Sequence, residues 1–253
     1  MRDLSAIEAS PHYRNGPWVP AMTPREQRHD RIERTVAGEI AWQAGRLGLD
    51  GARMLQLQPG PGQQTLLYRD QLTRPRRPVI YDAADTRDRE VREQTDFVAV
   101  DFEAARLPAA DGHFDLVVWN RELVTVKNAL PLLSEVRRIL RPGGVLILAV
   151  PNLAALHNRL LLLAGRQPST LHVTDGDHVR GFTSQALTRA LTGDLGFQLR
   201  EVTGVGLAPI SGAVQHRALR TLSHTIVWVL ARPHPDSPHP VGSHPVGSEP
   251  GPA

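Results

Sequence analysis

The chain contains no cysteine. That absence removes disulfides, thiolate nucleophiles and cysteine-ligated metals together, and it makes a cytoplasmic location the expectation. Lysine is almost missing too: Lys127 stands alone, so all but one of the 29 basic residues are arginine. No apolar run approaches the roughly 18–20 residues that a membrane-spanning helix needs. Met1-Arg2-Asp3-Leu4 opens no apolar secretory core, so neither a membrane span nor an export signal is expected. The formal charge is only +3 although the pI is about 9.9. The arginines are dispersed, with Arg74, Arg76 and Arg77 the densest group and Arg137 and Arg138 the next. Scattered among acids, they read as a solvated surface, and nucleic acid is not favoured as a partner.

What is present suits a globular protein. The 253 residues are 41% hydrophobic and 22% charged, enough for one large domain with appendages. Residues 1–22 hold Pro11, Gly16, Pro17 and Pro20 without a sustained period and read as an irregular lead-in that packs Trp18 onto the domain. The main domain is expected over 23–232. Residues 233–253 are dominated by Pro, His, Gly and Ser, with His-Pro-Val-Gly-Ser in tandem at 239–243 and 244–248. That composition cannot bury enough apolar surface to offset ordering, so a disordered tail is expected. His234, His239 and His244 lack the fixed geometry a metal requires, and no metal site is predicted.

Within the domain, Thr23-Pro24-Arg25-Glu26 reads as a helix start, and Ile32, Val36, Ile40, Ala44 and Leu47 repeat on one helical face. Seven short apolar runs then read as strands, at about 54–58, 79–81, 97–100, 114–119, 145–150, 197–205 and 224–231. Helical stretches separate the first five. Near-continuous apolar strands alternating with helices predict an α/β, Rossmann-like seven-stranded sheet, mostly parallel, with the last strand antiparallel and helices on both faces. Arg141-Pro142-Gly143-Gly144 reads as a stop and turn, 152–164 as a helix, and 165–182 as an irregular polar stretch.

The first strand runs into Gln58-Pro59-Gly60-Pro61-Gly62 and then a helix beginning near Gln63. Glycines there allow backbone N–H groups to approach an anionic ligand group closely. In open α/β sheets ligands sit beyond the carboxyl ends of the strands. Those ends carry Gly60 and Gly62, Asp82, Asp101 and Asn120. Asp82 lies twenty residues past Gly62, where an acid can accept from two ribose hydroxyls, so a nucleoside-type ligand is expected.

Leu107-Pro108, Asp111-Gly112 and Phe114-Asp115-Leu116-Val117-Val118, continued by Glu135, Arg138, Leu140 and Arg141-Pro142-Gly143-Gly144, carry a more specific pattern. In order and spacing it resembles the class I S-adenosylmethionine-dependent methyltransferases, in the methyltransferase type 11 and methionine-biosynthesis W-like group. Pro151-Asn152, His178-Val179-Arg180, Phe182-Thr183 and Gly196-Phe197 extend the likeness, which covers roughly 35–231. The resemblance implies S-adenosyl-L-methionine as cofactor and methylation of an acceptor, expected to be a small molecule. It implies that Gly60 and Gly62 border the methionine portion, Asp82 the ribose, Asp101 and Phe102 the adenine, and Asn120 the methyl-transfer site. Gln56 stands at the family's acidic position, which helps hold the cofactor's ammonium, and Gln58 stands at its first glycine. The alternative reading is a catalytically inactive relative that keeps the fold as an interaction or regulatory module. An NAD-binding oxidoreductase fits less well, because Thr65 stands where a third glycine would pack the helix. Methyl transfer implies no obligatory base, so catalytic residues stay unassigned. Histidines 157, 172 and 178 lie near the expected acceptor side, with His178 the leading candidate to take a proton. Arg121 and Arg180 are candidates to pair with an acidic acceptor, and Leu160–Leu163 with Ile210 and Val214 to line an apolar pocket.

Overall fold

The computed structural model describes residues 5–14, 24–104, 106–168, 179–207, 211–216 and 218–235. Trp18, the 169–178 segment with His172 and His178, Ile210, and the tail beyond 235 lie outside the described residues. Two short helices, α1 (Ser5–Ala9) and α2 (Pro11–Arg14), lead into the long α3 (Pro24–Arg46). Next come β1 (Met54–Leu57), α4 (Gln63–Arg69), β2 (Val79–Asp82), α5 (Arg89–Gln94), β3 (Asp96–Ala99) and β4 (Phe114–Asn120). The second half carries α6 (Ala129–Ile139), β5 (Leu140–Pro151), α7 (Leu156–Leu163), α8 (Ser184–Arg189), β6 (Gln198–Leu207), β7 (Ser211–His216) and β8 (Thr225–Ala231).

The strands form one sheet in the order β3-β2-β1-β4-β5-β8-β6-β7. β1 to β5 are mutually parallel, while β8 runs antiparallel to β5 and β6 on either side of it. Chain order therefore reverses between β1 and β4, because β2 and β3 lie to one side of β1 and β4 and β5 to the other. This is the expected Rossmann-like sheet with its seven expected strands in place. β7 is an addition: it pairs antiparallel with β6 and makes an eighth, edge strand.

Alternation along each strand divides the core by face. Leu55, Leu57, Val117, Trp119, Leu146, Leu148 and Trp228 pack with Leu132, Leu133 and Val136 of α6 and Leu187 of α8. Met54, Leu116, Val118, Ile147 and Val229 pack on the other face with Val36 and Ile40 of α3 and Leu67 and Tyr68 of α4. Strands buried on both faces are apolar throughout, which is why they were legible as runs.

Two expectations need correction. The N-terminal segment is not irregular over 5–14, because Ile7 is buried against the α3 face of the sheet and Tyr13 packs beside it. The Arg141–Gly144 turn is absorbed into β5, where Leu140 pairs with Phe114 and the register shifts before Leu116. Gly143 donates its N–H to Arg232 O at 2.7 Å and Arg232 donates to Gly144 O at 2.9 Å, so backbone bonding from beyond β8 holds the bulge in the sheet. Gly143 has φ +75, and a Cβ there would meet the His234 ring at 2.6 Å.

Candidate functional site

The reversal between β1 and β4 opens a crevice at the carboxyl ends of the strands, where a doubly wound sheet takes its ligand. β1 supplies its floor. All four residues of β1 are buried, and beyond Leu57 the chain turns into the left-handed region at Gln58 (φ 49), Gly60 (φ 58) and Gly62 (φ 83). A Cβ on Gly60 would meet nothing within 4 Å, so open space lies over the middle of the loop. A Cβ on Gly62 would sit 2.8 Å from Val91 Cγ1, so this glycine lets the loop pack down on α5. Since α4 spans only seven residues, its dipole adds little here, and the loop's own N–H groups carry the weight.

Asp82 ends β2 directly beneath the loop. Its Oδ2 accepts from Gly60 N at 3.2 Å and its Oδ1 from Ala83 N at 2.7 Å. Two backbone donors fix the carboxylate's orientation and leave lone pairs for further donors such as a diol. Asp101 is exposed after β3 and caps the following turn through Glu103 N at 2.9 Å. Phe102 packs into the α6 side of the core and is 7% exposed, so it offers a ligand very little of its ring. Gly60, Asp82 and Gln58 are thus brought together by direct hydrogen bonds or chain continuity, whereas among the described residues no hydrogen bond joins Asp101 or Phe102 to them.

A second polar group lies on the α4 side of the sheet. Asn120 Nδ2 donates to Gln64 Oε1 at 2.7 Å and reaches Tyr68 Oη at 3.4 Å, and Tyr68 Oη donates to Gln64 Oε1 at 3.0 Å. Burial drives the Tyr68 hydroxyl far above its usual pKa despite the Asn120 contact, so it stays protonated and acts as donor. Gln56 is 1% exposed, and its Oε1 has no hydrogen-bond partner among the described residues. Asn120 Oδ1 and Thr65 Oγ1 share that condition. Buried, unpartnered acceptors cost stability and are rare in a relaxed interior. Three of them lie on β1, β4 and α4 and can accept from a ligand's donors.

Trp119 and Thr125 join the site unanticipated. Gln58 Oε1 accepts from Trp119 Nε1 at 3.1 Å, and its Nε2 reaches Thr125 Oγ1 at 3.5 Å. Trp119 had been readable only as an apolar strand residue, and nothing in spacing singles out Thr125. Arg121 adopts φ 71 just past β4 and pairs with Glu33 of α3, so it is a structural clamp rather than a free cation for an acidic acceptor. Asn152 is buried and donates to Thr221 O and Ser223 O at 2.9 and 3.0 Å, tying the end of β5 to the turn before β8. His157 stacks on His224 with ring centroids 5.3 Å apart, and burial holds its pKa below the ordinary imidazole value. Arg180 is exposed, and its N–H donates to Val124 O at 3.1 Å. Leu160, Leu162 and Leu163 are exposed on α7 rather than enclosed. Among the described residues no group of three His, Cys, Asp or Glu side chains could hold a metal, and no helix is long and apolar enough to cross a membrane.

The charged residues of the block from Leu107 to Gly144 form a clasp centred on Arg138. Arg138 donates to Leu107 O, Ala109 O, Asp111 and both oxygens of Glu135. Glu135 also accepts from Leu107 N at 3.0 Å. The Arg138 guanidinium holds the Glu135 carboxyl below its usual range, partly opposed by burial, and Glu135 and Asp111 in turn raise Arg138. Asp115 accepts from Arg53 N at 2.8 Å and pairs with Arg141.

Comparison with known proteins follows this geometry. Residues 55–148 match the family described as a methyltransferase domain. A demethylmenaquinone methyltransferase of Beutenbergia cavernae is 45% identical over 58 residues, 23% of this chain and 24% of its own length. An uncharacterized 37.1 kDa protein of transposon TN4556 from Streptomyces fradiae is 30% identical over 159 residues, 61% of this chain and 46% of its own. The chain thus spans less than half the length of these two curated relatives. Magnesium protoporphyrin IX methyltransferase from Synechocystis, solved with SAH bound, superposes with a TM-score of 0.59 at 15% identity, covering 87% of this chain and 93% of that one. An S-adenosylmethionine-dependent methyltransferase from Mesorhizobium loti gives 0.53 at 14% identity, covering 76% and 98%. At such identities these structures establish the fold.

Proposed function

We infer that this chain, whose residues 55–148 belong to the methyltransferase-domain family, transfers a methyl group from S-adenosyl-L-methionine to a small-molecule acceptor. The observation that carries the reading is the Gly60 N to Asp82 Oδ2 bond at 3.2 Å beneath open space at the switch point of the sheet. It presents an oriented carboxylate and an unobstructed glycine turn to a nucleoside. The residues fit the cofactor on this side: Asp82 keeps lone pairs for a ribose diol, and the buried oxygens of Gln56 and Asn120 can accept from an ammonium group. Asp101 and Phe102 would border the adenine, Phe102 only by its small exposed remainder, and Gly62 would keep the loop low over α5.

Bound S-adenosylmethionine would supply an electrophilic methyl whose departure from sulfur disperses positive charge. The chain's own contribution is alignment and exclusion of water. Asn120, held by Gln64 and Tyr68, would fix one wall of the transfer site, and the Arg121–Glu33 pair would keep α3 against the end of β4. Leu160, Leu162 and Leu163 on α7 and Val179 beside the turn after β4 present exposed apolar surface on the acceptor side, which supports an apolar acceptor.

Isothermal titration with S-adenosylhomocysteine tests the cofactor. Saturable binding is expected, with Asp82→Ala weakening it by roughly tenfold or more, as loss of a charged hydrogen-bond acceptor does. No heat of binding at millimolar ligand would sink the reading. The second reading, an inactive relative serving as an interaction module, is favoured by one feature, the Gln58 side chain lying across the crevice, and the same titration separates the two.

A further inference from the structure

Gln58 is bonded to both sides of the switch point. Its backbone N–H donates to Tyr81 O of β2 at 2.8 Å. Its carboxamide reaches the other way, accepting from Trp119 Nε1 of β4 at 3.1 Å and approaching Thr125 Oγ1 of the following turn at 3.5 Å. One residue therefore ties β2 to β4 and the turn that follows it. It does so from φ 49, a conformation that is strained for a side-chain-bearing residue and free for glycine. Local backbone geometry alone would favour glycine at 58, whereas the glutamine's amide satisfies the Trp119 indole. The amide offers one acceptor and one donor at the place where a ligand's carboxylate or ammonium would enter.

We propose that Gln58 is a latch across the β1–β4 crevice, an affinity-setting residue whose carboxamide an incoming amino-acid-bearing nucleoside must displace from Trp119 and Thr125. The inference rests on the cofactor reading above. Displacement opens the crevice only for a ligand that replaces the lost bonds, so Gln58 discriminates by weakening every occupant and weakening most those without a polar head. The latched and open states differ at one reporter, the hydrogen bond of the Trp119 indole.

The test combines calorimetry with S-adenosylhomocysteine and the Trp119 indole N–H resonance, assigned by its loss in Trp119→Phe. Gln58→Gly is expected to bind roughly tenfold more tightly, equal to about 1.4 kcal/mol. Gln58→Asn tolerates the left-handed backbone but is one methylene too short to span the gap, so it guards against a glycine variant that fails to fold, and it too should bind more tightly. In the unaltered chain, saturation with ligand should shift the Trp119 indole resonance. If that chain binds while neither variant gains affinity, or if the Trp119 resonance stays put at saturation, the latch is overturned and the cofactor reading stands. Absence of binding in all three proteins overturns both.

Discussion

The glycine loop at 54–62 and the clasp centred on Arg138 are opposite in character. In the clasp, Arg138 and Glu135 answer each other and the chain around them: Arg138 alone satisfies Leu107 O, Ala109 O, Asp111 and Glu135. Around the loop, backbone geometry is tightly specified, yet Gln56 Oε1, Asn120 Oδ1 and Thr65 Oγ1 are buried without hydrogen-bond partners among the described residues. The Arg138 centre closes its own hydrogen bonds, whereas the surroundings of the loop leave capacity open at a cost in stability.

The contrast breaks most visibly at Arg138. Arg138→Ala strips Glu135 of its cation and two carbonyls of their donor, and should cost about 2–3 kcal/mol in urea unfolding. A loss under about 0.5 kcal/mol would mean the clasp is ornamental. In the loop, the sensitive position is a backbone one. Gly62→Ala places a Cβ 2.8 Å from Val91 Cγ1 at φ +83, and should lower stability by about 1–3 kcal/mol in the same assay.

Acid unfolding sharpens the comparison further. Glu135 is depressed in the folded protein, so its contribution is present above the ordinary glutamate pKa of about 4.3 and is lost as pH falls through the lower folded value. Glu135→Gln should flatten the fall of melting temperature below about pH 4.5. Part of the acid limb should survive, because Asp85, held at about 2 by Arg87, titrates in the same window. His157 acts nearer neutrality: its folded pKa is lowered by burial, so its contribution is intact above the ordinary imidazole value of about 6.5 and fades as pH falls below it. The smallest effect carries the opposite sign. Gln56→Leu removes a buried unpartnered oxygen and should leave stability unchanged or raise it by up to about 1 kcal/mol. A clear loss would show that Gln56 is as structural as Arg138.

Legibility in the sequence followed the same divide. β1, β4, β5 and β8 were readable because strands covered on both faces are unbroken apolar runs, and Ile32, Val36 and Ile40 gave α3 its helical face. β7 escaped because Ser211–His216 lacks such a run and is defined by its pairing with β6. The turn at 141–144 was misjudged because bonds from Arg232, some ninety residues on, draw it into the sheet. Gly60 and Asp82 were legible as candidates from the glycine turn and its spacing to the next strand end, and the structure joins them by a hydrogen bond. Arg121 was a candidate for an acidic acceptor and is instead paired with Glu33 of α3, and Phe102 packs largely into the core, since burial and pairing depend on distant residues that local pattern cannot supply.

The sequence by itself determined the α/β class, the strand ends that carry polar residues, and the place of the glycine turn, because these follow from periodicity and from what a backbone tolerates locally. Only the tertiary structure decided what Gln56 and Gln58 do there. One is buried with an unanswered oxygen and the other is stretched from β2 to Trp119, outcomes fixed by side chains that meet across more than sixty residues of chain.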